Sequence, residues 1–94
     1  MKESDVQFRI LKLLKSRGCS VFKTMTCNRN GIADIIACSP TGQFIAIEVK
    51  APGKLHTVSR LQAAYLEEVR SRGGIAILTD NLYDVDKALL SAQT

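Results

Sequence analysis

The apolar pattern of the chain predicts an α/β fold of order α-β-β-β-α-β-α, with a central mixed sheet flanked by helices. Three observations lead there. Two β-branched runs, residues 31–37 and 44–50, enclose Ser39-Pro40-Thr41-Gly42-Gln43, a stretch with hairpin-turn composition. Segments with the 3.6-residue apolar period of a helix stand before and after that hairpin. A further apolar run, residues 75–78, follows the second helical segment. Strand, helix, strand requires a crossover, which lays the later strand parallel to its partner with a right-handed connection.

The first helix is expected over residues 5–17, with Val6, Ile10, Leu13 and Leu14 on one face. Ser4 and Gln7 have capping-box spacing, and Gly18 is placed to stop the helix. Residues 20–24 suit a short strand, and Asn28-Arg29-Asn30-Gly31 a turn. In the hairpin, Pro40 fits the first position of a type I turn and Gly42 the left-handed position closing a three-residue loop. Pairing Ser39 with Gln43 then sets Asp34 opposite Glu48. Ala51-Pro52-Gly53 breaks the strand, and Gly53-Lys54 lacks the upstream glycine and following Ser/Thr of a phosphate loop. The second helix is expected over residues 58–72, from a Thr57 cap to a Gly73 stop, with Val58, Leu61, Tyr65 and Val69 as its stripe. Tyr65 is read as core, and Gln62 lies beside the stripe. A last short helix covers residues 84–92.

Alternation places Ile32, Asp34, Ile36, Phe44, Ala46, Glu48 and Lys50 on one face of the hairpin, and Ala33, Ile35, Ala37, Ile45, Ile47 and Val49 on the other. Both faces are apolar, as in a sheet covered on both sides. Only one end of one face carries charge. Two carboxylates directly opposite each other destabilise an antiparallel pair, whereas a hard divalent cation between them turns the repulsion into coordination.

Ninety-four residues suit one domain over 1–94. A hydrophobic fraction of 46% with mixed charge excludes a disordered chain. The net charge of +4 favours a polyanionic partner. No apolar run reaches membrane-spanning length, and Met1-Lys2-Glu3 does not begin a signal peptide, so a cytosolic protein without membrane contact is expected. Cys19, Cys27 and Cys38 lack CxxC spacing and His56 is the only histidine, a poor set for structural zinc. They are read as three partly buried thiols in a reducing compartment.

An Asp, a strand-length gap and Glu-Val-Lys, after a helix with an early Glu and before one bearing a Gln, resemble the PD-(D/E)XK nuclease superfamily. Within it the chain resembles a stand-alone VRR-NUC domain, the small phage and bacterial branch related to archaeal Holliday-junction resolvases. The resemblance runs from Glu3 to Leu90, with Ala33 where the superfamily name has proline and without the Val-Arg-Arg tripeptide. It implies a restriction-endonuclease-like fold and a metal-dependent endonuclease cutting DNA, selectively at branched structures such as Holliday junctions, as a homodimer in a bacterial or phage-infected cell. Asp34, Glu48, Lys50, Gln62 and Glu3 are the expected catalytic residues. Asp34, Glu48 and the Val49 carbonyl would hold Mg²⁺ or Mn²⁺, with no organic cofactor. Arg29, Lys54, His56 and Arg60 are the expected phosphate contacts.

Each assignment has a plainer counterpart. Glu3 is also a favourable charge at a helix N-terminus, Arg29 an ordinary turn residue, and Lys54, His56 and Arg60 a solvated loop and helix start. Gln62 is also a boundary polar residue, and Glu48–Lys50 a surface ion pair. The competing functions are a nonspecific or replication-linked nicking nuclease, a DNA-binding module with an inactive site, and an interaction domain that binds no nucleic acid.

Overall fold

The computed structural model describes residues 1–92; Gln93 and Thr94, the end of the domain expected over 1–94, lie outside the described residues. In chain order the elements are α1 (Glu3–Ser16), β1 (Ser20–Lys23), β2 (Ile35–Cys38), β3 (Phe44–Val49), a 3-10 turn (Leu55–Thr57), α2 (Arg60–Ser71), β4 (Ile75–Thr79) and α3 (Leu82–Ala92). The strands lie side by side as β1-β2-β3-β4. The first two pairs are antiparallel and β3–β4 is parallel, which is the mixed sheet the sequence predicts.

The β2–β3 turn sets the register. Ser39 N–H donates to the Gln43 carbonyl and Gly42 N–H to the Ser39 carbonyl, each at 2.9 Å, with Gly42 at φ +87°. Cys38 pairs with Phe44 and Ile35 with Ile47, so one step further outward Asp34 faces Glu48. A slip of one residue would turn Ile45 and Ile47 onto the opposite face and drive Glu48 into the larger core.

That core lies between one sheet face and the helices α1 and α3. Ile35, Ala37, Ile45, Ile47 and Val49 pack there with Val6, Ile10 and Leu14 of α1 and Val85 and Leu89 of α3. Each buried Val, Leu or Ile contributes about 1.5–3 kcal/mol, so the faces are firmly assigned. The other face is covered by α2, where Leu66 and Val69 meet Ala33 and Ala46. Ala33 was expected to share the face of Ile35, Ile45 and Ile47, which the structure packs against α1 and α3. A bend at Asp34 separates it from β2, so the two-residue alternation does not reach it.

The helix boundaries move by a few residues, each for a local reason. Helix α1 starts at Glu3 rather than at 5, because the Lys2 N–H donates to the Asp5 carboxylate at 2.8 Å. The Ser4–Gln7 box does not form; the Gln7 side chain is buried instead. At its other end Gly18 has φ +79°, and the bonds Gly18 N–H to Lys15 O and Cys19 N–H to Leu14 O make a Schellman stop. Helix α2 begins at Arg60 with Ser59 as its cap, not at 58 with Thr57. The Thr57 hydroxyl donates to the Lys54 carbonyl at 2.7 Å and is not free to cap. The buried stripe of α2 is therefore Leu66 and Val69 beside half-buried Tyr65, and Leu61 points outward at 60% exposure. Helix α3 starts two residues earlier than expected because the Asn81 side-chain oxygen accepts from the Asp84 N–H at 2.9 Å. Cys19 is buried, but Cys27 and Cys38 are exposed rather than partly buried, Cys38 at a strand end and Cys27 in a loop.

Candidate active site

Because β2 and β3 run side by side, the residue before β2 and the end of β3 meet at one end of the sheet. Asp34 is fixed there from two directions. Its carbonyl accepts from the Thr24 N–H at 2.8 Å, and its carboxylate Oδ2 accepts from the Val49 N–H at 2.9 Å. The Thr24 hydroxyl adds bonds to the Ala33 and Asp34 carbonyls at 2.8 and 3.1 Å. Val49, buried as the last residue of β3, thus lies with its backbone against the Asp34 carboxylate.

Glu48 is only 1% exposed. Its Oε2 accepts from Gln62 Nε2 at 2.8 Å and lies 3.2 Å from Lys50 Nζ. Its Oε1 is buried with no hydrogen-bond partner among the described residues. Burial in a medium of low polarity pushes the Glu48 carboxyl up to about 7; repulsion from Asp34 adds to this, and Lys50 opposes it. The solvated ion pair at a strand end is not what forms. The Lys50 and Glu48 side chains are 13% and 2% exposed, and the pair is enclosed.

Gln62 links the pair to α2. Its Oε1 accepts from Lys50 Nζ at 3.2 Å and from the Ser59 N–H at 2.9 Å, while its own N–H donates to Ser59 Oγ at 3.1 Å. The same side chain therefore serves the helix cap and the charged cluster. Leu66, one turn on, anchors this side of α2 to the sheet. Ser59 was missed by reasoning from the sequence, although Ser59-x-x-Gln62 has capping-box spacing.

The remaining candidates lie around this cluster. Glu3 is exposed in the first turn of α1, and its carboxylate accepts from Gln7 Nε2 at 3.5 Å; the structure does not join it to Asp34 or Glu48 by a hydrogen bond. Gly18, at the other end of α1, faces Pro40 of the hairpin turn so closely that a Cβ would lie 3.1 Å from its Cγ. Helix α1 thus points its N-terminus, with Glu3, towards the end of the sheet that carries Asp34. Arg29 is held by Glu68 in a two-pronged pair at 2.8 and 3.2 Å, with its guanidinium 5.2 Å from the Tyr65 ring centre. Neither Glu68 nor the platform role of Tyr65 was anticipated, because their partner is 39 positions away from Glu68. Arg29 and Gln62 line a common cleft of about 330 Å³ with the Thr24–Cys27 strand exit and the Asn30–Ile32 turn. Lys54, His56 and Arg60 are exposed on the segment joining Lys50 to Gln62.

The donor set suits a hard cation. Two facing carboxylates, one with an unpartnered buried oxygen and a raised affinity for protons, are only partly compensated by the single ammonium of Lys50. Among the described residues no group of three or more His, Cys, Asp or Glu side chains converges. Two carboxylates, a main-chain carbonyl and water are nonetheless a common kind of shell for Mg²⁺, which keeps several waters.

The model of the VRR-NUC domain family matches residues 3–80. The chain belongs to the VRR-NUC domain family. One solved structure described as a VRR-NUC domain is 26% identical over 95% of both chains, with a TM-score of 0.78. A second, described as a VRR-NUC domain protein, is 14% identical over 96% of this chain and 86% of its own, with a TM-score of 0.71, a likeness of fold alone. No curated protein matches. The family is one of nucleases with the restriction-endonuclease-like fold, and that is the class of this domain. Ala33 and the missing Val-Arg-Arg tripeptide do not remove the chain from the family. At Ala33 a small side chain is accommodated between Ala46 and α2.

Proposed function

We propose that this VRR-NUC domain is a metal-dependent DNA endonuclease that hydrolyses phosphodiester bonds and acts selectively on branched DNA such as four-way junctions. The observation that carries the proposal is the enclosed cluster of Asp34, Glu48, Lys50 and Gln62 at one sheet end. Asp34, Glu48 and the Val49 carbonyl hold Mg²⁺ or Mn²⁺; when bound, the ion polarises a phosphate oxygen and lowers the pKa of attacking water. Lys50 contributes the one ammonium in the cluster. Its Nζ is aimed by Glu48 and Gln62, so it meets the charge that develops on the phosphate without having to reorganise. Gln62 bonds to both Lys50 and Glu48 and so orients the pair. Glu3, in the first turn of α1, would complete the water and metal network from that helix.

Arg29, which lines the cleft, and the exposed Lys54, His56 and Arg60 supply contacts to the DNA backbone, in a chain of net charge +4. A domain this small has little surface with which to select a duplex. Two copies related by a two-fold axis would place symmetric sites on the opposed strands of a junction. The test is cleavage of a labelled four-way junction and a matched linear duplex with Mg²⁺, Mn²⁺ or EDTA, by the wild type and Lys50→Ala. Metal-dependent cutting that favours the junction and disappears in the variant is expected. Binding without cutting under any metal would instead make this an inactive DNA-binding module. Equal cutting of both substrates by a monomer, measured by sedimentation, would leave a nonspecific or nicking nuclease.

A further inference from the structure

The capping box that starts α2 is reciprocal, and the side chain that completes it also belongs to the charged cluster. A cap needs Ser59 Oγ to accept from the Gln62 N–H, and it does so at 3.1 Å. The Ser59 N–H makes the second bond of the box, donating to Gln62 Oε1 at 2.9 Å. That oxygen also accepts from Lys50 Nζ at 3.2 Å, so both its lone pairs are used. The amide is left in one orientation. Turning it over would set Nε2 against two donors and Oε1 against the Glu48 carboxylate, which now accepts from Nε2 at 2.8 Å.

We propose that the backbone N–H of Ser59 is a positioning group for the reaction: it fixes the orientation of the Gln62 amide, and through it the separation of Lys50 from Glu48. The proposal rests on the reading of the cluster as a nuclease centre and adds to it a group outside the charged set. The other two bonds of the Gln62 side chain go to Lys50 and Glu48 themselves, so among the described residues the Ser59 N–H gives its one hydrogen bond from outside the charged cluster.

The backbone geometry permits a clean test. Ser59 has φ −81° and ψ 163°, close to the value a proline ring imposes, and Val58 has φ −57° and ψ 134°, in the extended region that a residue before proline favours. Ser59→Pro therefore removes the N–H while the chain keeps its course. Ser59→Ala removes the hydroxyl cap and keeps the N–H. With Mg²⁺ and the junction substrate, Ser59→Ala is expected to lose stability and to keep more of its kcat than Ser59→Pro, because the N–H remains. Ser59→Pro is expected to lose about 10–100-fold in kcat, the usual cost of removing a group that orients a site residue, with KM little changed. Gly18→Ala, strained at φ +79° far from the site, serves as the control for lost stability alone.

The side-chain amide resonance of Gln62 gives a second readout that needs no activity. It should hold its position in Ser59→Ala and move towards that of a free amide in Ser59→Pro. Should the proline variant fail to fold, an ester in place of the 58–59 peptide bond removes the same N–H and keeps the serine side chain. Equal kcat and equal Gln62 signals in the N–H-retaining and N–H-lacking variants would overturn the proposal. A wild type that cleaves nothing would overturn the nuclease reading, while the Gln62 resonance would still decide the positioning role.

Discussion

Glu48 makes the metal-free fold sensitive to pH in a direction opposite to that of most carboxylates. Its folded pKa is about 7 against an ordinary 4.5, so the folded chain holds this proton more tightly than the unfolded one. Between those values the folded state binds more protons, and stability falls as pH rises. The shift of about 2.5 units, at about 1.4 kcal/mol per unit, puts the full loss at roughly 3 kcal/mol. In a domain of this size that amounts to a fall in Tm of about 10–20 °C between pH 5 and pH 8. Glu68 and Asp80, whose pKa values are lowered, stay ionised throughout this window and do not oppose the trend. The assay is urea denaturation followed by circular dichroism at pH 5 and pH 8 in EDTA, then at pH 8 with Mg²⁺. Wild type should weaken at pH 8 in EDTA and recover with the ion, because a cation bound only to the folded state stabilises it. Glu48→Gln has no such group to ionise, so its stability should be nearly flat across the window and insensitive to Mg²⁺. If wild type and Glu48→Gln shared one pH slope in EDTA, or wild type grew more stable towards pH 8, the account of a buried carboxylate under strain from Asp34 would be wrong.

Other perturbations probe separate parts of the site. Asp34→Ala should abolish cleavage and leave DNA binding intact, whereas loss of both in a folded variant would assign Asp34 to binding; gel-shift and cleavage assays on one preparation separate the two. Asp34→Asn should move the stability transition of Glu48 to lower pH, since repulsion from Asp34 is one cause of its shift. Gly31→Ala combines a backbone at φ +76° with a Cβ that collides with Leu61 and comes within 3.2 Å of the Gln62 nitrogen. It should cost about 1–3 kcal/mol in urea denaturation, and an unchanged midpoint would show that the turn does not press on α2. Arg29→Ala should lower the slope of log affinity against log salt by about 1, as expected of one phosphate contact; an unchanged slope would mean that Glu68 keeps the guanidinium from DNA.

Much of this fold is legible in the sequence because its decisive signals are local. Pro40 and Gly42 fix a three-residue turn; counting from it gives the observed pairs from Cys38–Phe44 to Ile35–Ile47, and one step on it sets Asp34 opposite Glu48. Gly18 and Gly73 mark the ends of α1 and α2 for the same reason: each takes a left-handed conformation that closes a Schellman bond pair. What fails is any inference that extends a period beyond its element. Ala33 was assigned to a face by alternation, but lies before β2; Leu61 was assigned to a stripe, but α2 starts two residues later than expected and its phase is set by Leu66 and Val69.

The burial of Glu48 was harder to foresee, because it depends on elements far apart in the chain. Alternation gives its face and the turn gives its neighbour, but its enclosure requires α2 to lie across the sheet with Gln62 turned inward. That arrangement is set by the cap at Ser59, a residue with no chemistry of its own, and by apolar contacts one and two turns further along the helix. The cap begins α2 where Gln62 falls within reach of both Glu48 and Lys50. A cap at Thr57 would have shifted the first turn and left the side chain of Gln62 without its second anchor. The charged cluster therefore depends on the helix start as much as on its own residues, and the polarity of the site is a consequence of where one serine lets a helix begin.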